Sequence, residues 1–500
     1  MSELPKGWNL TELESLFSFV LGGDWGKAPD FSEEGYLDAF CIRGTEFKHW
    51  TRDKGITSVH RKLKASSLEN RTLQLNDILI EISGGGPDQP VGRTVLIDEE
   101  ALQVNSAHPK VCTNFIRLVR PSCSIHGPYL NYYLRSFYLS GEVTKYQGGS
   151  NNLRNLKFKE YSKIEVPVAP LNEQIRIANK LDYILAKVDK AQARLNKIPA
   201  ILKRFRQSVL AAATSGELTK EWREENETSK VIIENLNTVN DAYDIWERTT
   251  KLERPENWTY CKLIQTGKIQ GGGTPRKNNS DYWDGDIPWV TPKDMKRDFI
   301  NESQLMVTKI GVSESSAKMI DSSSILFVVR GMILAHSFPV ALRGVTVNQD
   351  MKCITPAKFI GSKYLLYVLK SQKDLFVELA SSSTHGTKRL EAKMYNNVAI
   401  PVCPMEEQTE IVRIIEILLA KANKVEKQYL DAKTRLDRLT QSILAKAFRG
   451  ELVPQDPNDE PAEQLLERIL KERLSQQQKA DKPKKTTKKR AIKAKVADKG

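Results

Sequence analysis

The sequence has few features of a secreted, membrane-spanning or metal-binding protein. Its six cysteines are scattered, without the close pairs of a zinc ribbon or the density of a disulfide framework. Its only C-x-x-H, from Cys123 to His126, has no second pair nearby, so we expect no metal site. There is no secretory leader at Met1 to Pro5, and no apolar run approaches the roughly 18 residues that span a bilayer. We therefore expect a soluble, cytoplasmic protein.

The motifs of enzymes that bind S-adenosylmethionine or ATP are also missing. No N/D-P-P-Y/F sequence occurs, no G-x-G-x-x-G opens a helix after a strand, and there is no G-x-x-x-x-G-K-[ST]. We expect no catalytic residues and no cofactor in this chain. One trace of a metal-dependent nuclease remains, the pattern acid-x-Lys. It is frequent by chance in a chain with 28% charged residues, and it begins at Glu46, Asp294, Asp350 and Glu391.

The positive charge is concentrated at one end of the chain. The formal net charge is +14, and residues 479–500 alone carry ten Lys or Arg and two Asp. This tail has almost no apolar residues, so we expect it to be disordered. Attraction to nucleic acid and a purely solvating role are both open for it.

One stretch of the sequence occurs twice. Residues 164–219 align with residues 398–453 without a gap, at a constant offset of 234. The matches include Pro167 with Pro401, Glu173-Gln174 with Glu407-Gln408, and Gly216-Glu217-Leu218 with Gly450-Glu451-Leu452. Both copies are predicted to be long helices that begin after the Pro-rich turn and end at Gly216 and Gly450.

Apolar residues in both copies recur at alternating steps of three and four, which is typical of a coiled coil. Each helix needs a partner, and we expect that partner to be the other copy, although an ordinary pair of core helices would show the same pattern. Pro199 should kink or restart the first helix, because proline cannot donate to the preceding turn. The predicted seam consists of Leu181, Ile184, Val188, Leu195, Leu202 and Phe205 in the first copy and Ile415, Leu418, Val425, Tyr429, Leu436 and Leu439 in the second.

A globular segment precedes each helix. One opens at Pro5 to Trp8 and the other at Pro255 to Trp258, and both continue as short β-type runs punctuated by Gly, Pro and Asn. Weaker matches pair residues 77–80 with 324–327, Asn105 with Asn348, and 129–136 with 364–371. The chain is therefore predicted to be a diverged tandem duplication.

The predicted fold class is α+β, with two homologous globes separated by two long antiparallel helices. We call residues 1–163 globe 1 and residues 255–397 globe 2. The other segments are the long helical spacers 164–219 and 398–453, a charged connector 220–254 with a helix from Lys230 to Arg248, a short charged helix 454–478, and the basic tail 479–500.

With the doubled Pro-x-x-Glu-Gln helix start and the doubled Gly-Glu-Leu end, the chain resembles the specificity subunit of a type I restriction-modification system. The resemblance covers nearly the whole chain and implies that each globe is a target-recognition domain reading one half of a split double-stranded DNA sequence. It also implies two modification subunits that methylate adenine from S-adenosylmethionine, and ATP-driven restriction subunits that cut DNA. S-adenosylmethionine, ATP and Mg²⁺ are then expected in those partner subunits, and no membrane is involved.

Three pairs of loops are the candidate DNA contacts, since base readout needs polar groups on loops with cations nearby. For each pair a plain capping turn or a solvated surface charge is an open alternative. The first pair leads into the long helices, the second follows strand-like runs, and the third contains glycine turns with an arginine beyond. The residues are Ser150, Asn151, Asn152, Arg154, Thr384, His385, Thr387, Lys388 and Arg389; then Arg43, Lys48, Lys293 and Lys296; then Ser83, Arg93, Arg330 and Arg343.

Two other functions stay open at this level. The chain could be a non-catalytic scaffold whose helices bind protein while the globes read no sequence. The other alternative is an autonomous metal-dependent nuclease.

Overall fold

The computed structural model describes residues 4–86, 89–149, 153–233, 245, 254–331, 337–382 and 388–480. Its contacts divide the chain into two compact units. Unit 1 consists of residues 1–194 and 432–500, and unit 2 consists of residues 195–431. Each unit therefore joins one globe to parts of both long helical segments, whereas the sequence suggested separate spacer domains. Among the helices of the described residues, none is long and apolar enough to cross a bilayer.

The helices range from single turns to one of 43 residues. In chain order they are α1 Trp50–Asp53, α2 Ala65–Arg71, α3 Glu99–Gln103, α4 Gly127–Leu139, α5 Phe158–Tyr161, α6 Leu171–Leu195, α7 Ile198–Ser215, α8 Lys220–Glu225, α9 Lys309–Ser313, α10 Ser362–Ser371, α11 Lys373–Glu378, α12 Ala392–Tyr395, α13 Met405–Ala447 and α14 Ala462–Ala480.

Unit 1 contains sheets with the strand orders β1-β12, β2-β9-β5-β7, β4-β3-β8 and β10-β11-β6; among its described strands only β3 and β8 pair in parallel. The central strand β5 is buried along its whole length because one face packs toward α4 and the other toward the β3 side of the globe. The strands are β1 Asn9–Glu12, β2 Phe17–Gly22, β3 Tyr36–Ile42, β4 Val59–Lys64, β5 Ile78–Glu81, β6 Ser83–Gly85, β7 Thr94–Leu96, β8 Lys110–Cys112, β9 Ile116–Pro121, β10 Gln147–Gly148, β11 Arg154–Leu156 and β12 Glu165–Val168.

Unit 2 repeats this arrangement with the strand orders β13-β24, β14-β21-β18-β19-β16, β17-β15-β20 and β22-β23. Its parallel pairs are β15 with β20 and β16 with β19. The strands are β13 Thr259–Lys262, β14 Gly267–Gly271, β15 Trp283–Val290, β16 Phe299–Ile300, β17 Met306–Val307, β18 Ile325–Val328, β19 Val340–Ala341, β20 Thr346–Val347, β21 Met351–Pro356, β22 Ser381–Ser382, β23 Lys388–Arg389 and β24 Ala399–Val402.

The first residues of each repeated stretch are strands and not helix. β12 pairs with β1, and β24 pairs with β13, in the same antiparallel register. The predicted spacer segments 164–219 and 398–453 therefore begin with a strand, while the helices α6 and α13 start directly after the Pro-rich turn, as predicted. Prolines 167 and 401 sit in these short strands, where each pairs with only one neighbouring strand.

The Glu-Gln pair of each repeat is a buried structural element. Trp8 Nε1 donates to Glu173 Oε2 at 3.1 Å in unit 1, and Trp258 Nε1 donates to Glu407 Oε2 at 2.9 Å in unit 2. The neighbouring Gln174 accepts from the backbone N–H of residue 126, as its repeat partner accepts from that of residue 361. The motif thus fastens the first turn of each long helix to the opening of its own globe.

Within each unit, the beginning of one long helix packs beside the end of the other. In unit 1, Leu181 and Leu185 of α6 share a core with Leu444 and Ala447 of α13. In unit 2, α7 packs in one core with Ile411 and Ile415 of α13, and Arg206 binds Glu426 at 2.7 Å. The break between α6 and α7 falls at residues 196 and 197, which confirms the interruption predicted from Pro199.

Burial of the predicted seam residues varies along the helices. Leu181, Leu202 and Ile415 are buried, but Phe205, Val425 and Leu439 are 38%, 42% and 46% exposed. Close to the globes each helix contacts strands and other helices as well as its partner. A helix that packs against one partner helix alone leaves much of its remaining surface exposed to water. The heptad pattern also missed Leu185, Leu210 and Leu444, which are buried.

The segments after the two long helices belong to the globes. Ala462 N donates to Gly7 O at 2.8 Å, and α14 contributes Leu465 and Ile469 to the core of globe 1. Val231 N makes the corresponding bond to Asn257 O at 3.2 Å. The predicted helix from Lys230 to Arg248 is irregular over residues 230–233; the rest lies outside the described residues, apart from residue 245, which is helical and buried. The predicted short charged helix 454–478 is helical from residue 462, as part of α14, whereas residues 454–461 form turns and coil; residues 481–500 of the tail lie outside the described residues.

Candidate nucleic-acid interface

Three candidate loops of globe 1 meet along one edge, held together by backbone hydrogen bonds. Thr113 N donates to Ile42 O at 3.0 Å, and the N–H groups of residues 82 and 83 both donate to Phe115 O. Leu156 N donates back to Ile82 O at 2.9 Å, while β11 pairs with β6. We call this region edge 1; among the described residues it comprises 43–48, 83–86, 147–149 and 153–156. The sequence offered no reason to place these loops beside each other, because more than 100 residues separate the first from the last.

Globe 2 has the same bonds at equivalent positions. Asn348 N donates to Val290 O at 3.1 Å, the N–H groups of residues 329 and 330 both donate to Asp350 O, and Leu390 N donates to Val329 O at 2.8 Å. Edge 2 therefore comprises residues 291–296, 330–331 and 388–390. The sequence matched residues 77–80 with 324–327, and this alignment extends to Ile82 with Val329.

The hydrogen bonds also correct one sequence match. Thr113, and not Asn105, occupies the position of Asn348. Asn105 lies in a turn with φ +50° and donates to Ile56 O at 3.0 Å. Its match to Asn348 was a coincidence of residue type.

Two arginines predicted to contact DNA are bound within the protein. Arg93 binds the buried carboxylate of Glu81 through Nε at 2.9 Å and Nη2 at 2.5 Å, and Nη2 also donates to Gly44 O at 2.9 Å. Arg43 binds Glu46, whose side chain is 2% exposed, at 2.6 Å. Arg93 therefore braces two loops of edge 1 against each other. The two arginines offer less to a ligand than sequence reasoning supposed.

Other predicted residues do present free charge on the two edges. The side chains of Lys48, Arg154, Lys293, Lys296 and Arg330 are exposed, and none pairs with a carboxylate among the residues described here. These five cations are the part of the prediction that retains a surface suited to phosphate.

The remaining predicted residues fall into three groups. Ser83 is half-buried on β6, and Arg343 is exposed while donating to Asp286 O at 2.8 Å. Lys388 and Arg389 form β23, and the backbone of Arg389 bridges that of Arg330. Outside the described residues lie Ser150, Asn151, Asn152, Thr384, His385 and Thr387.

A basic and aromatic surface on the β3–β4 hairpin escaped the sequence reasoning. The guanidinium of Arg61 lies 4.3 Å from the ring centroid of Trp25, and Lys64 Nζ lies 5.9 Å from that of Tyr36. The signal was available in the run His60-Arg61-Lys62-Leu63-Lys64, which alternates as a strand does. Because β3 leads directly into edge 1, these groups extend its positive charge along the hairpin.

The carboxylates of the nuclease pattern have other roles. Glu46 is paired with Arg43, Asp294 caps the backbone N–H of Thr291 at 2.8 Å, and Glu391 binds Lys393 at 3.2 Å. None of the four acids belongs to a group of metal-binding side chains within the described residues. The nuclease alternative therefore gains no support there.

Comparison with known proteins agrees with this architecture. The family model described as "Type I restriction modification DNA specificity domain" matches residues 5–200 and 255–432. The chain is 27% identical to the type I restriction enzyme EcoKI specificity subunit of Escherichia coli K12, over 95% of this chain and 97% of the relative. It is 31% identical to the EcoBI specificity subunit of Escherichia coli, over 73% of this chain and 77% of the relative.

Two solved structures share the fold. One, from a study of complex assembly and conformational transition of the type I R-M system, has a TM-score of 0.60 at 17% identity and covers 90% of this chain and all of that one. The other, the HsdS subunit from Thermoanaerobacter tengcongensis, has a TM-score of 0.51 at 17% identity and covers 90% of this chain and 98% of that one. With the family model matched twice on a duplicated fold, the chain belongs to the family of type I restriction-modification DNA specificity subunits.

Proposed function

We propose that each unit reads one half of a bipartite double-stranded DNA target through its own edge. The observation that carries this proposal is the recurrence of one hydrogen-bonded loop arrangement in both globes, each with exposed, unpaired cations. Lys48 and Arg154 serve edge 1, and Lys293, Lys296 and Arg330 serve edge 2. Cations so placed bind phosphates and fix the register of the protein on the duplex.

The two edges have the same backbone hydrogen-bonding arrangement but different side chains. This difference supports the proposal that they recognise different half-site sequences. Ser83 and Arg330 occupy equivalent positions, since the preceding residues Ile82 and Val329 make the same bonds. An arginine guanidinium reads the O6 and N7 atoms of guanine with two hydrogen bonds, whereas a serine hydroxyl bonds to several bases. Edge 2 should therefore have the stronger preference for guanine at this position.

The chemistry of the system is assigned to partner subunits. The relatives are named as specificity subunits of type I restriction enzymes. By analogy, two modification subunits would methylate adenine from S-adenosylmethionine, and restriction subunits would use ATP and Mg²⁺ to translocate and cut DNA. This chain would determine which DNA sequence the partner subunits act on, and it would do so in the cytoplasm, where the DNA lies.

The long helices are proposed to set the distance between half-sites. The 43 residues of α13 span about 64 Å at ~1.5 Å per residue. DNA readers related by a two-fold contact half-sites about 34 Å apart or at a multiple of one helical turn. Deleting one heptad from both helical segments should change the length of the spacer between the two recognised half-sites. An unchanged spacer would refute the proposal that helix length sets this distance.

Selection from random duplexes, with and without the methylating partner, tests the function. A bipartite consensus is expected with the partner present. No enrichment would favour the scaffold, and Mg²⁺-dependent cutting by the chain alone would favour the nuclease. Exchanging residues 1–160 for those of another family member should change one half of the consensus and leave the other.

Single substitutions then test the edges. Lys48→Ala should weaken binding to all sequences and reduce the salt slope by about one. Arg330→Ala should relax base preference in one half-site only, at about 1–3 kcal/mol of discrimination. Lys180→Ala is the matched control, because Lys180 is an exposed lysine on α6 outside both edges. Equal effects from the control would refute the assignment of the edges.

A further inference from the structure

Three side chains that commonly bind transition metals meet on the β4-β3-β8 sheet of globe 1. Asp38 is on β3, His60 is on β4, and His108 lies just before β8. One nitrogen or oxygen atom from each lies within 4.8 Å of those from the other two, and His60 Nε2 is 2.7 Å from Asp38 Oδ1. Across the described residues this is the one group of three or more His, Cys, Asp or Glu with such spacing.

The two imidazoles are held parallel. Their ring centroids are 5.4 Å apart with an interplanar angle of 9°, and Phe40 packs against both rings at 5.8 and 5.7 Å. Packing of this kind limits ring rotation, so the geometry exists before any ligand binds. Preorganised side chains cost less to order on binding.

The carboxylate has one oxygen that a metal could use. Lys62 Nζ binds Asp38 Oδ2 at 2.9 Å, while Oδ1 faces His60. Carboxylates that bind metals commonly accept such an outer hydrogen bond on the second oxygen.

We propose that Asp38, His60 and His108 bind a divalent transition-metal ion of the Zn²⁺ class. Two imidazoles and a carboxylate suit Zn²⁺, and with three protein ligands the fourth position stays open to water or another group. All three residues are half-buried, so an ion can reach them. The bound ion would join β3, β4 and the segment before β8, and so stabilise the sheet that leads into edge 1.

The proposed metal site is separate from the DNA-recognition role, and it differs from the expectation from sequence that the chain has no metal site. The ligands are 22 and 48 residues apart. These ligands are not close together in the sequence. They meet because β3 pairs with both β4 and β8.

Calorimetric titration of the untagged full chain with Zn²⁺ tests the proposal. Cys123→Ser serves as the background, because the exposed Cys123 thiol is a competing ligand. One site per chain is expected, with no heat from Mg²⁺. His60→Ala and His108→Ala should each weaken Zn²⁺ binding more than about 100-fold, beyond the range for a lost outer partner. His49→Ala, at an exposed histidine of the same globe, should leave it unchanged.

Two further measurements keep the test independent of folding defects. Zn²⁺ should raise the Tm of the background protein but not that of the conservative variant Asp38→Asn. Lys62→Gln should tighten binding, because it removes a nearby positive charge but keeps a donor for Asp38. Zn²⁺ affinity that is equal in the background protein and in both histidine variants would overturn the proposal, as would weaker binding by Lys62→Gln.

Discussion

Replacing Arg93 should destabilise globe 1 far more than it weakens DNA binding directly. The side chain of Arg93 is 18% exposed, and that of Glu81, whose carboxylate it binds, is 2% exposed. Arg93→Ala leaves this carboxylate buried without its cation and also removes the donor to Gly44 O. Breaking a buried ion pair by removing one partner costs about 3–5 kcal/mol, and the residual exposure of Arg93 places it near 3 kcal/mol.

The assay is chemical and thermal denaturation of the full chain. A loss of about 3 kcal/mol corresponds to a Tm decrease of about 6–12 °C for a unit of this size. The double variant Glu81→Gln/Arg93→Met should recover most of that loss, because it removes the buried charge together with its partner. Lys48→Ala, at an exposed lysine on the same edge, should change stability by less than about 0.5 kcal/mol.

A different result would contradict the reasoning. If Arg93→Ala changed stability as little as Lys48→Ala but reduced DNA affinity and the salt slope, Arg93 would be a DNA contact and not a brace. If the double variant were as unstable as Arg93→Ala, the cost would not arise from the orphaned carboxylate.

Two further predictions compare matched positions. Burial raises the pKa of Glu173 above its ordinary value of 4.5, so between the two pKa values the folded protein holds a proton that the unfolded chain has lost. The free energy of unfolding should therefore fall as the pH rises from about 4.5 through the raised pKa. Glu173→Gln should abolish that fall. Glu407→Gln should instead lose about 2 kcal/mol at neutral pH, since it weakens a bond to Arg223, and unchanged stability of this variant at neutral pH would contradict the prediction. Gly216→Ala should cost more in urea denaturation than Gly35→Ala: both have φ above +80°, but only at Gly216 would the Cβ lie 2.5 Å from Pro255. Equal losses of stability would show that Pro255 moves away from the added Cβ at no measurable cost.

The sequence predicted most of the fold because the chain is its own comparison. The two gap-free copies show which positions are shared, so the helix ends at Gly216 and Gly450 could be predicted, and the chemistry of Pro199 predicted the break just before it. Both glycines adopt positive φ, at +81° and +74°. These features depend on local backbone chemistry, which neighbours along the chain express.

The sequence could not distinguish positions whose surroundings depend on distant partners. Arg93 and Lys48 are both cationic residues near turns in the sequence. In the structure Arg93 binds the buried carboxylate of Glu81, whereas the side chain of Lys48 is exposed. Likewise the heptad pattern could not show that Phe205 is exposed and Leu185 buried. Burial depends on what packs from outside the helix.

The sequence by itself determined the duplication, the α+β class and the family, because these follow from the order and spacing of residues along the chain. Only the tertiary structure decided which loops form edges 1 and 2, which cations remain free on them, and that Asp38, His60 and His108 meet. Those facts arise from strand pairing between segments far apart in the chain, and pairing of that kind leaves no local pattern to read.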